Sequence, residues 1–253
     1  MKQRDDLTVI HIDIDPAEIG KNIEAHIPIV GDITIVLGQL LEQFTDKLSH
    51  EEWKAELDAL RADKPVLPAP EGCVNPKEFI RTLDKFLPEH SVVVADVGQN
   101  QIWTAANITL NDGRFLTSGG MGTMGYSVPA AIGAKAADPS AEVVAVCGDG
   151  SFQMQSMELA TALQHGINIK IIVMRNNYLG MVRELQENAY HGRLTAVSLD
   201  GSPSFTKLAD AYGIENILVD SPDKMEDAIK RMISSDKPFL IEAVVGEYEK
   251  TIL

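Results

Sequence analysis

Residues 142–150, EVVAVCGDG, carry an almost unbroken apolar run into the turn Gly148-Asp149-Gly150. Residues 169–177, IKIIVMRNN, repeat the pattern and end on two asparagines. Val/Ile runs of this length, without polar alternation, belong to strands buried on both faces, the condition of a parallel sheet between two helix layers. Working outward, the same alternation of strand and helix recurs. A helix over Pro76–Phe86, with Asn75 as N-cap and Pro76 at N1, precedes the strand VVVADV. The weak strand RFLTS and the glycine stretch SGGMGTMG open the helix YSVPAAIGAKAA. EVVAVCGD leads into one helix ending at His165-Gly166, and IKIIVM is followed by a helix near Met181. The helix FTKLADAYG, a strand over Ile217–Val219, a helix over Lys224–Ile233 and the strand FLIEAVV close the series. The expected class is α/β: a doubly wound parallel sheet with helices on both faces. In such sheets ligands bind at the carboxyl ends of the strands.

N-terminal to this region the chain changes character. LTVIHIDID (7–15) reads as a strand ended by Pro16, followed by a short helix over Ala17–Asn22 and a second strand in IPIVGD. Helices over Ile33 to about Leu48 and over Glu51–Ala62 come next. Two strands make too small a core for a whole domain, so this partial α/β segment looks like the tail of a larger one. KPVLPAPEG, with three prolines, is the stiffest linker. The expected organisation is a remnant over 1–62, a linker over 63–74 and the sheet domain over 75–253.

Composition excludes several classes. The 253 residues carry 22 basic and 37 acidic side chains, a net charge of −15, with no basic block to follow a nucleic-acid backbone. No apolar run reaches the ~20 residues of a membrane span. Asp13 and Asp15 interrupt the first apolar stretch, so no signal peptide is expected. Two cysteines, Cys73 and Cys147, without metal-ligand spacing, fit a reducing cytoplasm. The six histidines form no ligand spacing either. Trp53 and Trp103 read as packing residues, as do Met154, Met157 and Met174.

Three strand-end loops carry chemistry. In Gly148-Asp149-Gly150-Ser151, two glycines around a carboxylate allow backbone N–H groups to face a phosphate or its metal; a plain capped turn is the alternative. Arg175-Asn176-Asn177-Tyr178 ends the next strand and supplies a neutral side-chain oxygen and exposed carbonyls. Adjacent parallel strands bring these loops together. Asp149, Asn176 and the carbonyl of Tyr178 then offer three hard oxygens with one negative charge, a set suited to Mg²⁺ rather than zinc. Gly120-Met121-Gly122-Thr123-Met124-Gly125 formally matches GxGxxG, but it follows a short strand and holds two methionines. Close backbone approach to a flat ligand, with Met124 as a deformable contact, is the better reading.

GDGSF followed after about 27 residues by NNYLGMV resembles the metal–diphosphate motif of thiamine diphosphate enzymes. With ADVGQNQIW, SGGMGTMGYSVPAAIGAKAA and GMVRELQ, the chain resembles the large catalytic subunit of acetolactate synthase (acetohydroxyacid synthase) over residues 7–245. The resemblance implies the end of a middle domain followed by a diphosphate-binding domain. Asp149, Asn176 and Tyr178 would hold Mg²⁺. Gly98, Gln99, Asn100, Gly150 and Ser151 would contact the diphosphate. Met124 would wedge the cofactor into its bent shape, Gly122 would meet the aminopyrimidine, and Met181 would line the substrate side. Asp13 and Asp32 match positions that touch flavin adenine dinucleotide (FAD) in members that carry it. The parent reaction it implies decarboxylates pyruvate and joins the two-carbon unit to a second 2-oxoacid, in branched-chain amino-acid biosynthesis. It also implies a homo-oligomer, dimer or tetramer, a regulatory small subunit, and no nucleic-acid or membrane partner.

Three departures bear on this reading. Asn100 stands where the family usually has His, so any side-chain bond to diphosphate would come from a carboxamide. Leu185 replaces a Trp that favours 2-oxobutyrate as acceptor, tilting preference toward pyruvate. The Glu that activates the cofactor is expected on a pyrimidine-binding domain outside this chain, brought by a longer or separate chain, so no catalytic residue is assigned here and the chain alone is expected to be inactive. Other readings are a split subunit, a fragment of another 2-oxoacid decarboxylase or carboligase, and a non-enzymatic nucleotide-binding module.

Overall fold

The computed structural model describes residues 7–44, 49–62, 68–110 and 112–251, in two compact units, residues 1–65 and 66–253. In the first unit β1 (Ile10–Asp13) pairs in parallel with β2 (Ile27–Val30), Ile10 opposite Ile27. α1 (Ile33–Gln43) starts at Asp32, whose Oδ1 accepts from the amides of Thr34 (2.9 Å) and Ile35 (3.3 Å), the usual N-cap arrangement. α2 is Glu51–Ala62. The helix expected over Ala17–Asn22 is absent. Asp13 Oδ1 accepts from the Asp15 amide and Asp15 Oδ1 from the Ala17 amide, so side chains satisfy the backbone locally and turns replace the helix. The helix expected to reach Leu48 ends at Gln43; residues 45–48, and 63–67 of the linker, lie outside the described residues. Ile10, Val30, Ile35 and Leu41 are exposed, as is Trp53, so Trp53 is not the packing residue expected.

The second unit is built on one parallel sheet. β3 (Ser91–Ala95), β4 (Arg114–Thr117), β5 (Glu142–Gly148), β6 (Lys170–Arg175), β7 (Glu215–Val219) and β8 (Phe239–Val244) lie in the order β4-β3-β5-β6-β8-β7. Alternate side chains enter two separate cores. Val93, Val144, Val146 and Ile172 meet Phe79 and Leu83 of α3 (Pro76–Phe86), Trp103 of α4 (Gln99–Asn107) and Ile229 of α10 (Met225–Ser234). Val94, Val143, Ala145 and Ile171 meet Val128 of α5 (Ser127–Ala137), Phe152 of α6 (Asp149–Gln155), Leu159 of α7 (Glu158–Gln164) and Phe205 of α9 (Phe205–Tyr212). α8 (Gly180–Ala189) follows β6. This is the doubly wound α/β sheet expected. The single helix expected after β5 is two, broken at Ser156-Met157, and α4 was not anticipated. Met154 and Met157 are exposed, correcting their assignment to the core, because they sit on the outer side of that break; Met174 is buried.

From β3 the chain moves one way to β4, then returns past β3 to β5 and continues in the other direction. The sheet therefore switches between β3 and β5, and a crevice opens at their carboxyl ends.

Candidate functional site

The crevice is framed by residues that follow β3 and β5. The Asp96 amide donates to the Val146 carbonyl (2.8 Å), extending the pairing of the two strands. Its fully buried carboxylate accepts four bonds: Val97 N (2.9 Å) and Gly125 N (3.0 Å) at Oδ1, Ser127 N (2.7 Å) and Gln155 Nε2 (3.0 Å) at Oδ2. A carboxylate in this position is tolerated because every bond is charge-assisted. It pins the glycine turn 118–125 and the start of α5 to the end of β3. Within ADVGQNQIW no local spacing signals this role of Asp96.

Two glycines bring backbone close at the strand ends. Gly98 has φ 143°, a conformation side chains rarely adopt, and starts α4. A Cβ on Gly150 would stand 2.8 Å from Leu179 Cδ2 and 3.2 Å from Leu199 Cδ1, so any side chain there would push these leucine methyls aside.

Between them the expected oxygen set is brought together. Asp149 Oδ1 accepts from the Gly150 amide (2.9 Å), and Oδ2 accepts from the amides of Asn176 (3.2 Å) and Asn177 (2.6 Å). Oδ2 is thereby filled and Oδ1 keeps a lone pair. Asn176 Oδ1 accepts from the Tyr178 amide (3.1 Å) and also keeps one. The Tyr178 carbonyl accepts no backbone hydrogen bond among the described residues. Asn177, between them, holds φ 58°, and Asn176 and Tyr178 both line the same cleft. Burial pushes the Asp149 carboxyl up to about 6, against the opposing pull of the amides of Asn177, Gly150 and Asn176. A nearby cation would remove that penalty, and among the described residues no group of three His, Cys, Asp or Glu offers a rival site.

A cleft of about 110 Å³ opens above this set. Gly98, Gln99, Asn100, Met124, Asp149, Gly150, Ser151, Asn176, Tyr178 and Met181 line it, and Gly122 does not. Trp103 and Met174, expected as packing residues, also line it, as do Leu179 and Gly180, to which the sequence assigned no role. The donor expected from Asn100 is turned away: Nδ2 bonds the carbonyls of Asp96 (2.9 Å) and Val146 (3.2 Å), leaving Oδ1 toward Gly98 and Gly148. The Ser151 hydroxyl is likewise engaged, donating to the Gly148 carbonyl (3.1 Å) and accepting from the Gly148 amide (3.2 Å). What both loops leave available to an anion is backbone N–H at helix starts. In the first unit, Asp13 and Asp32 hold the local turn and cap already described.

A family model described as thiamine pyrophosphate enzyme, C-terminal TPP binding domain, matches residues 96–243. The chain belongs to the thiamine pyrophosphate enzymes. A second model, the central domain of these enzymes, matches residues 2–40. Among curated relatives, a probable acetolactate synthase large subunit of Methanocaldococcus jannaschii is 42% identical over 95% of this chain. An acetolactate synthase of Arthrospira platensis is 41% identical over 95%, and an acetolactate synthase large subunit of Lactococcus lactis is 38% identical over 96%. The chain spans 42–43% of the length of these three relatives. The cleft lies wholly inside the matched C-terminal domain, its lining running from Val97 to Val182. No described helix is long and apolar enough to cross a membrane.

Proposed function

We propose that this chain is the C-terminal, diphosphate-binding part of an acetolactate synthase large subunit, and that its cleft holds thiamine diphosphate through Mg²⁺. The observation that carries the reading is the convergence of Asp149, Asn176 and Tyr178: a carboxylate, a carboxamide and a carbonyl oxygen, each with a lone pair left. One charge and hard oxygens suit Mg²⁺, whose remaining positions go to phosphate oxygens and water. Gly98, Gln99, Asn100 and Ser151 enter through backbone N–H groups, since the side-chain donors of Gln99, Asn100 and Ser151 are engaged within the protein; Gly150, whose amide is held by Asp149 Oδ1, contributes close approach of the backbone. Met124 and Met181 give the cleft an apolar wall for the rings, and Gly122 belongs to the flexible-backbone turn beside it. When bound, thiamine diphosphate supplies a thiazolium carbanion that adds to 2-oxoacids. The chain's own residues bind and orient it, and exclude water with the Met124 and Leu179 side chains.

The parent reaction we infer, decarboxylation of pyruvate and transfer to a second 2-oxoacid, rests on the resemblance to acetolactate synthase. It requires an activating Glu on a pyrimidine-binding domain from a longer or separate chain. Residues 1–62 are read as the end of the middle domain, in keeping with the exposed apolar side chains of its two-stranded sheet. FAD at Asp13 and Asp32 rests on family resemblance alone, as do a regulatory small subunit and pyruvate as preferred acceptor. A homo-oligomer likewise rests on family resemblance. The free thiols Cys73 and Cys147 support a cytoplasmic setting.

Calorimetric titration of thiamine diphosphate into the purified chain tests this. Binding with Mg²⁺ that EDTA abolishes is expected. Binding indifferent to the metal, or tighter binding of NAD(H) or ATP, would overturn it in favour of a nucleotide-binding module.

A further inference from the structure

Gln99 lies buried at the start of α4, and its carboxamide joins three parts of the fold. Oε1 accepts from Asn176 Nδ2 (3.0 Å), while Nε2 donates to Glu184 Oε2 (3.0 Å) and to the Glu249 carbonyl (2.7 Å). The two acceptors at Nε2 admit only an amide nitrogen there, so Oε1 must face Asn176. Asn176 must then present Nδ2 to Gln99, which turns its own Oδ1 toward the Tyr178 amide and the proposed metal. The rotamer of Asn176 that can ligate a cation is thus selected by Gln99.

Gln99 is in turn held by the chain's last described residues. Glu184 accepts from the Thr251 amide at Oε1 (2.9 Å) and from its hydroxyl at Oε2 (3.0 Å). Trp103 Nε1 donates to the Lys250 carbonyl (3.1 Å), and Arg183 Nη2 to the Glu249 carbonyl (3.1 Å). The fully buried Arg183 guanidinium lies 5.0 Å from the ring of Tyr248 and 5.5 Å from that of Tyr178. The same short segment therefore braces both residues that offer neutral oxygens: Asn176 through Gln99, and Tyr178 through Arg183.

Resting on the metal site proposed above, we propose that Tyr248–Thr251 forms the outer layer of that site and that Gln99 is the positioning residue linking it to Asn176. Filling the site and docking the segment are then coupled, each strengthening the other by the same factor.

A double-mutant cycle on the full chain tests this, with Mg²⁺-dependent thiamine diphosphate affinity as the readout. Gln99→Glu keeps an acceptor for Asn176 but removes both donors and sets a second carboxylate beside Glu184. Termination after Val245 removes the segment. Each change is expected to weaken binding roughly tenfold, and the two together little more than the stronger one, because both break the same link. Hydrogen exchange at the Thr251 amide is expected to slow when Mg²⁺ and thiamine diphosphate are added. Should the truncated chain lose its circular dichroism spectrum, Glu184→Gln takes its place in the cycle. Single variants that bind like the parent, multiplicative losses, or unchanged exchange at Thr251 would overturn the inference while leaving the site assignment standing. A parent chain that binds no Mg²⁺–thiamine diphosphate would overturn both.

Discussion

Replacing Gly180 with alanine is expected to destabilise this protein, although the same exchange at an unconstrained helical position stabilises by about 1 kcal/mol. Gly180 is the first residue of α8, and its backbone needs no positive φ. The obstacle is the neighbour: a Cβ would overlap Gln99 Oε1, lie 2.5 Å from Gln99 Cδ and sit 3.1 Å from Asn176 Nδ2. Gln99 is buried and cannot swing away without losing its bonds to Asn176, Glu184 and the Glu249 carbonyl. Two of these are neutral and one is to a carboxylate. At about 1 kcal/mol for each neutral bond and about 1.5–3 for the charged one, the loss is roughly 3–5 kcal/mol. Subtracting the helical gain leaves a net destabilisation of about 2–4 kcal/mol, or a fall in Tm of roughly 5–15 °C for a domain of this size. Urea and thermal denaturation of Gly180→Ala against the parent would measure it, and a parallel titration should find Mg²⁺-dependent thiamine diphosphate binding weakened. A variant that melts at or above the parent temperature and retains that binding would refute the packing argument, since helix propensity alone would then account for the result.

Two further outcomes follow from the same geometry. Asp96→Asn keeps the shape of a buried group that accepts four bonds but places an amide nitrogen against donors; a loss of about 3–5 kcal/mol is expected in urea denaturation. The Asp138 carboxyl is held down to about 2, first by the Ser140 hydroxyl (2.6 Å) and then by His90 Nε2 (2.7 Å). Because the folded value lies below that of an unfolded Asp, the stabilisation is present above about pH 4 and fades as pH falls toward 2. NMR titration should find the Asp138 midpoint raised in both Ser140→Ala and His90→Ala.

Much of this could be read from the sequence, and the failures share a cause. β3, β5, β6 and β8 announce themselves as Val/Ile runs, and the two loops at the ends of β5 and β6 carry the Asp and Asn that converge on the cleft. α4 did not, because QNQIWTAAN has no apolar stripe; tertiary bonds hold it, from Asn100 to the carbonyls of Asp96 and Val146 and from Trp103 to that of Lys250. The roles of Asp96 and Gln99 were hidden for the same reason. Gln99 meets Glu184 and Glu249 across 85 and 150 residues, distances at which no local spacing rule operates. The break between α6 and α7 was concealed by a stretch, FQMQSMELATALQ, that is a good helix former throughout. Asn100 is legible as a carboxamide at a strand end, but its identity alone does not tell that its donors turn inward to backbone carbonyls.

In the proposed site Asp149, Asn176 and the Tyr178 carbonyl hold the cation that carries the cofactor's diphosphate. Anomalous diffraction from crystals grown with Mn²⁺ and thiamine diphosphate would locate that cation directly. A peak is expected within about 2.5 Å of all three oxygens, in contact with the diphosphate and lost in Asp149→Ala crystals. A cofactor bound in the cleft with its metal on other residues, or with none, would contradict it.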